Sequence, residues 1–198
     1  GYFKLLANNL YAELKADGFV GVFGFANQNS HYGFKKNLGW KDLNSLNLFS
    51  VLKENFKLFP STLGCTFETG EITEEAILGV EKSNYSQASY KLSRSVKWLN
   101  WRLLENPNNQ YYSLKIVKEK SLVATIIYKK YLSSIDVMEV FCTKERDRFE
   151  ILNAAFNHLF EVGSVQINYW CNLHTEEYGM LEKLRFKELD FLTYFGVI

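Results

Sequence analysis

An order of elements that recurs restricts this chain more than any single motif does. Residues 2–16 carry Phe3, Leu6, Leu10 and Leu14 at three- and four-residue spacing, which predicts an amphipathic helix stopped by Asp17-Gly18. Phe19 to Phe25 is short and apolar with almost no polar alternation, as a strand buried on both faces is. Gly21 and Gly24 within it mark close backbone approach or a bulge. Asn29 or Ser30 then caps a helix that holds Tyr32, Phe34 and Leu38 and closes at Gly39. Leu43 to Leu52 is a further strand. The first fifty residues therefore read helix, strand, helix, strand.

From Lys53 to about Lys82 the pattern loosens, with Pro60, Gly64, Gly70 and Gly79 as punctuation and a short helix around Thr73 to Leu78. Tyr90 to Leu104 is predicted helical through Leu92, Val96, Leu99 and Leu103, and Asn106-Pro107-Asn108-Asn109 turns the chain. Tyr111 to Val117 and Ser121 to Tyr131 form a hairpin around Lys118-Glu119-Lys120, and Ile135 to Cys142 is another strand. A helix striped by Phe149, Leu152, Phe156 and Phe160 follows and stops at Gly163. Then come a strand (Val165 to Cys171), a helix (Glu176 to Leu184) and a last strand (Leu189 to Val197). These last four elements repeat the order of the first four, so the chain reads as an internal repeat whose first copy lacks its beginning. The expected division is 1–55 for the partial copy, 56–82 for the connection and 83–198 for the second copy. The fold class is α/β (α+β), with mixed sheets flanked by helices. Residue 1 is Gly with a helix starting almost at once, which reads as a fragment or a processed product.

Bulk properties remove several function classes. With 23 basic and 22 acidic residues the formal net charge is +1, so no global field holds duplex DNA or another polyanion. No apolar run approaches the roughly 18 residues of a membrane span, and no signal peptide opens the chain. Cys65, Cys142 and Cys171 are odd in number, widely spaced and without a CxxC pair, which argues against a disulfide framework or a zinc site and for a reducing cytoplasm. Each reads as a buried, inert thiol.

The stretch GFANQNSHYGFKKNLGW (residues 24–40) resembles the part of the GNAT-type N-acyltransferases in which a strand runs into Asn-x-x-Ala and a helix closing on Leu-Gly-Phe. Asn27-Gln28-Asn29-Ser30 holds the first place and Leu38-Gly39-Trp40 the second, with one residue more between them than is usual. Trp98 to Asn109 is similar to the segment that opens the second copy in the bacterial tandem form of this family, with two such folds in one polypeptide. The resemblance implies acetyl-CoA or another acyl-CoA as donor and no metal. It implies a small-molecule amine or an amino sugar as acceptor. It also implies a pyrophosphate site in which Gly1, Tyr2 and Phe3 stand at the end of an Arg/Gln-x-x-Gly-x-Gly/Ala loop, at the start of the first helix. The Arg or Gln of that loop, and the strand that carries a catalytic base, would lie upstream of Gly1. Asn27, Asn29 and Ser30 would meet the pantetheine arm or merely cap the helix. Phe34 stands where many of these enzymes carry the Tyr that protonates the departing thiolate, which leaves Tyr32 as a weak catalytic substitute.

In the second copy, Thr143-Lys-Glu-Arg-Asp-Arg148 has no glycine and two carboxylates where the anion would sit, and Leu184-Arg185-Phe186 has Arg for Gly. This copy is expected not to bind CoA in the usual way. Trp98, Trp101 and Arg102 either line a substrate groove or pack the helix, with Arg102 pairing to Glu105. His31, His158 and His174 make no metal spacing, though His31 stands beside the cap. Lys115, Lys118, Lys120, Lys129 and Lys130 make a basic hairpin, read as a soluble edge. The expected function is acyl-CoA-dependent N-acylation of an amine. The alternatives are a non-catalytic binding protein of the same fold and, within the tandem architecture, an aminoacyl-tRNA-dependent transferase, which needs a basic track that a charge of +1 does not show.

Overall fold

A computed structural model describes residues 1–74, 76–77 and 95–198. In chain order the described elements are α1 (Tyr2–Ala16), β1 (Phe23–Asn27), α2 (Gln28–Tyr32), β2 (Lys41–Leu52), β3 (Thr66–Glu71), α3 (Val96–Leu99), β4 (Tyr111–Lys118), β5 (Ser121–Tyr131), β6 (Ser134–Cys142), α4 (Arg148–Glu161), β7 (Gln166–Cys171), α5 (Glu176–Lys183) and β8 (Lys187–Val197). α2 and α3 each run on into a π turn, Gly33–Asn37 and Asn100–Leu104. The α/β class expected from the pattern is the one observed. The chain divides into two compact units: unit 1 is residues 1–49, 170–179 and 188–198, and unit 2 is residues 50–169 and 180–187.

In unit 1 the strand order is β1-β8-β2, so the last strand of the chain separates the first two. β8 pairs antiparallel with β1 in the register Phe23↔Val197 to Asn27↔Thr193. That register puts Gly24, Ala26, Tyr194 and Gly196 on one face and Phe23, Phe25, Phe195 and Val197 on the other. The first face is closed by Trp40. A Cβ on Gly24 or Gly196 would stand 3.1 Å from its ring, which explains both glycines as sites of close approach. On the other face Phe25 stacks on Phe195 at 5.1 Å.

Three expectations are corrected in this unit. The strand is Phe23–Asn27, and the Phe19 to Phe25 run is not buried on both faces: Val20, Phe23 and Phe25 are exposed. The physical reason is that Trp40 covers the Gly24 and Ala26 face, while Phe23 and Phe25 lie on the other face with β8 as the one neighbouring strand of β1 among the described residues. The helix after it is capped by Asn27 rather than by Asn29 or Ser30. The face of α1 turned inward holds Ala7, Tyr11 and Leu14, while Leu6 and Leu10 are exposed. Tyr11 fixes that rotation, because its hydroxyl accepts the Trp40 indole N–H at 2.9 Å.

In unit 2 the order is β7-β6-β5-β4-β3, with β3 to β6 antiparallel and β6 parallel to β7. β3 was missed in the punctuated stretch because TFETGE carries two acids, a glycine and a single large apolar residue. It adds to β4 through its backbone ladder, with the Thr66 hydroxyl donating to the Val117 carbonyl and the Ser113 hydroxyl to the Glu71 carbonyl, both at 3.4 Å. The β4–β5 hairpin turns on Glu119 and Lys120, both at positive φ (50° and 64°), a type I′ geometry usually given to Asn-Gly. α3 starts at Val96, since Ser95 is extended and its hydroxyl accepts the Trp98 N–H at 3.2 Å. The described part of the helix expected from Tyr90 thus begins at Val96, and its Tyr90 to Arg94 part, with Leu92, lies outside the described residues, as does Leu78. Leu99 and Leu103 join Ile77, Tyr111, Ile127 and Phe141 in one cluster, and Leu152, Phe156, Leu159 and Phe160 bury the inner face of α4. Each such side chain contributes about 1.5–3 kcal/mol. Asn153 is buried among them. Its amide donates to the Phe59 carbonyl at 2.9 Å and accepts the Phe59 N–H at 3.0 Å, holding irregular chain against the helix.

The two ends read as repeat closures have the same local build. Gly39 (φ 77°) follows buried Leu38 and precedes buried Trp40; Arg185 (φ 66°) follows buried Leu184 and precedes buried Phe186. The Phe186 N–H bonds back five residues to Leu181 and the Trp40 N–H six residues to Phe34. The extra residue seen in the sequence is taken up by the π turn, which holds one residue more than an α turn. Arg185 thus occupies a left-handed position that suits glycine. Arg185→Gly is expected to raise the stability of the chain by about 1 kcal/mol, read as a higher urea midpoint at unchanged slope. A lowered midpoint would show that the Arg185 side chain outweighs its backbone strain.

Candidate functional site

The site expected from the sequence begins where β1 gives way to α2. Asn27 is extended (φ −79°, ψ 172°) and its Oδ1 accepts the Ser30 N–H at 2.9 Å and the Ser30 hydroxyl at 3.0 Å. One carboxamide and one hydroxyl thus satisfy each other and the helix start, a contribution of about 1 kcal/mol. Asn29 is exposed beside them.

Aromatic packing joins this turn to the start of α1. The Phe3 and Phe34 rings meet edge to face at 5.3 Å, Phe34 meets Trp40 at 4.7 Å, and a Cβ on Gly33 would stand 3.6 Å from Phe3. Gly1 is the N-cap of α1, with no side-chain cap and no acid in the first turn. The structure therefore brings Phe3 and Phe34 together as a packed pair and Asn27 and Ser30 as a bonded pair. Tyr2 and Tyr32 point to solvent, at 85% and 70% exposure, and Tyr32 has no hydrogen-bond partner among the described residues.

A charged cluster next to the turn was not legible beforehand. His31 Nε2 lies 2.9 Å from Asp42 Oδ1, Lys35 Nζ donates to Asp42 Oδ2 at 2.7 Å, and the His31 ring stacks on Tyr194 at 3.6 Å. The Lys35 ammonium, and then His31, hold the Asp42 carboxyl below the usual carboxylate range. The cluster ties the helical segment to β2 and β8. In the sequence only His31 stands out, because its partners come from other elements.

In unit 2 the expected substrate residues separate. Trp98 packs against the Leu99 and Leu103 cluster, whereas Trp101 is 60% exposed and Arg102 is exposed. The pairing of Arg102 with Glu105 does not form, because Glu105 leaves the helix as its C-cap at φ −89°, ψ 1°. Beside the end of this helix is a cleft of about 440 Å³ lined by Glu71 and by residues 106–110, which the sequence presented only as a turn. Ahead of α4 the Glu145–Asp147 turn puts two acids, with Glu150, at the helix N-terminus, and Arg148 pairs with Glu145 at 3.5 Å. These carboxylates occupy the place where the helix dipole would favour an anion.

Cys142 and Cys171 are buried and Cys65 half-buried, and none of the three is in a disulfide. Burial pushes the Cys65 thiol up, which makes it a poor nucleophile, and burial likewise carries the Tyr128 hydroxyl up to about 12. Among the described residues no three His, Cys, Asp or Glu side chains group as metal ligands do, and no helix is long and apolar enough to cross a membrane.

No family model matches the sequence, and no curated protein matches it. Solved structures match in shape. A conserved protein of unknown function from Enterococcus faecalis, given as a probable N-acyltransferase, superposes with a TM-score of 0.71 at 11% identity, over 96% of this chain and 47% of that one. A GCN5-related N-acetyltransferase from Sphaerobacter thermophilus gives 0.59 at 12% identity, over 90% and 59%. This is the GNAT fold. A tandem GNAT protein of the clavulanic acid biosynthesis pathway, solved without AcCoA, gives 0.58 at 10% identity, over 90% and 63%. The GNAT-like chain thus spans between 47% and 63% of the length of these three structures.

Proposed function

We propose that this chain belongs to an acyl-CoA-dependent N-acyltransferase of tandem GNAT form working in the cytoplasm. Residues 1–55 would be the later half of a first copy, 56–82 the connection and 83–198 a degenerate second copy. The observation that carries the reading is the GNAT fold over at least 90% of the chain. The matched closures at Leu38-Gly39-Trp40 and Leu184-Arg185-Phe186 support two copies. The exposed Tyr2, Leu5, Leu6 and Leu10 on α1 and Phe23 and Phe25 on β1 support a missing first half, since that is apolar surface such a half would cover.

In this reading the free N–H groups at the start of α1, from Gly1, Tyr2 and Phe3, face the donor pyrophosphate. Asn27, Asn29 and Ser30 lie along the pantetheine. The acceptor is the amine of a small molecule or sugar, near Trp101 and Arg102, with Trp98 packed in the cluster behind them. Its nitrogen bonds to the thioester carbonyl carbon, the C–S bond breaks, and the thiolate leaves with the proton that the amine sheds. The acids ahead of α4 keep the second copy from holding CoA in the usual way.

Calorimetric titration of the 198-residue protein with acetyl-CoA is expected to give no submillimolar binding and no turnover with amine acceptors. Submillimolar binding with sustained turnover would refute the missing half. A second reading, a non-catalytic binding protein, is favoured by Phe34, whose ring is held between Phe3 and Trp40 where a proton donor is wanted. General-acid assistance is worth about 10²–10⁴-fold, so acyl-CoA turnover by the full-length protein decides between the two.

A further inference from the structure

We propose that the cleft of unit 2 at the end of β3 and the start of β4 binds an amino sugar. Its volume of about 440 Å³ falls in the range of small-molecule sites. In the apolar base Leu103 belongs to the α3 cluster and Ile72 packs against it, which fixes both, while Leu104 is exposed. The rim is four carboxamides and one carboxylate. Asn106 Oδ1 is taken by the Asn108 N–H at 3.0 Å and the Asn109 amide at 3.3 Å, and Gln110 Nε2 donates to Glu71 Oε1 at 2.8 Å. This leaves the Asn106 amide N–H groups, the Asn109 and Gln110 carbonyls, both ends of Asn108 and Glu71 Oε2 for a ligand.

Such a rim offers neutral donors and acceptors side by side, which suits hydroxyl groups that each donate and accept. The apolar base suits the C–H face of a sugar ring. The sign of the charge narrows the class further. Among the described residues no Lys, Arg or His lines the cleft, and Glu71 has neutral Gln110 as its side-chain partner there. An ammonium group meets an uncompensated carboxylate there, and a phosphate is repelled. The assignment stands on this lining and requires no acyl-CoA in unit 1, so the acetyl-CoA titration can fail without touching it.

The test is saturation-transfer NMR titration of the 198-residue protein with D-glucosamine, D-glucose and glucose 6-phosphate. Glucosamine is expected to saturate the site and to bind about tenfold more tightly than glucose, with glucose 6-phosphate weakest. Glu71→Gln, which keeps an acceptor for Gln110, is expected to bring glucosamine down to the affinity of glucose. Asn108→Ala, at an exposed position, is expected to weaken both sugars about fivefold. No saturable glucosamine binding, equal affinity for the two neutral-ring sugars, or a glucosamine preference that survives Glu71→Gln would each overturn the proposal.

Discussion

Deleting Glu188–Ile198 is expected to unfold unit 1. These residues form most of β8, which lies between β1 and β2, so their loss leaves two strands that are not neighbours. Phe23 and Phe25 lose Phe195, His31 loses the Tyr194 ring beneath it, and the Asn47 amide loses the Glu188 carboxylate it donates to. The Trp40 ring loses the Gly196 backbone that lies against it. Isolated strands and hairpins are marginal in water, and nothing else in the unit replaces that ladder. Hydrogen exchange read by peptide mass should show the Phe23–Asn27 amides unprotected in the deleted chain. The β4–β5 amides, bonded within unit 2, keep their protection. Protection that persisted in β1 would mean that the first fifty residues hold their fold without the last strand.

Trp40→Ala should lower the stability of the protein by about 3–5 kcal/mol. Trp40 is buried, meets Phe34 edge-on, donates to Tyr11, and touches the backbone positions of Gly24 and Gly196, so α1, β1, β8 and the π turn after α2 all close on one ring. The two glycines beneath the indole have no side chain with which to fill the space it vacates. The cavity term is therefore expected at the high end. Trp40→Phe keeps most of the packing and loses the indole N–H, at a cost of about 1–2 kcal/mol. Urea unfolding of the two variants separates packing from hydrogen bonding. A fall of under 1 kcal/mol for Trp40→Ala would show that unit 1 does not depend on this ring.

Local pattern carried much of the fold. The α1, α4 and α5 helices, the β4–β5 hairpin and the closures at Gly39 and Gly163 follow from spacing and from the conformations glycine allows. Long-range pairing was not carried by pattern. An apolar strand buried on both faces and an apolar strand at the end of a sheet read alike, which is why β1 was misjudged. The TFETGE strand was missed because its partner, not its composition, makes it a strand. The turn that holds the candidate site was legible through Asn27, Ser30 and the Leu38-Gly39-Trp40 closure. The Asp42 cluster, the Glu71 cleft and the Asn153 clamp on Phe59 were not, since each joins residues far apart in the chain whose types are ordinary on a surface.

The place of β8 also bears on how the protein is made. Unit 1 recruits its middle strand from residues 187–197, so a growing chain carries β1 and β2 out of the ribosome long before their shared neighbour exists. At the usual pace of synthesis the interval is on the order of ten seconds. During it Phe23 and Phe25 lack their partner, and an apolar strand edge without lysine or proline is open to the wrong neighbour. The β3 to β6 strands of unit 2, which pair in near succession, can form meanwhile. Yield in the cell should then depend less on the final stability of unit 1 than on what shields that edge while it waits.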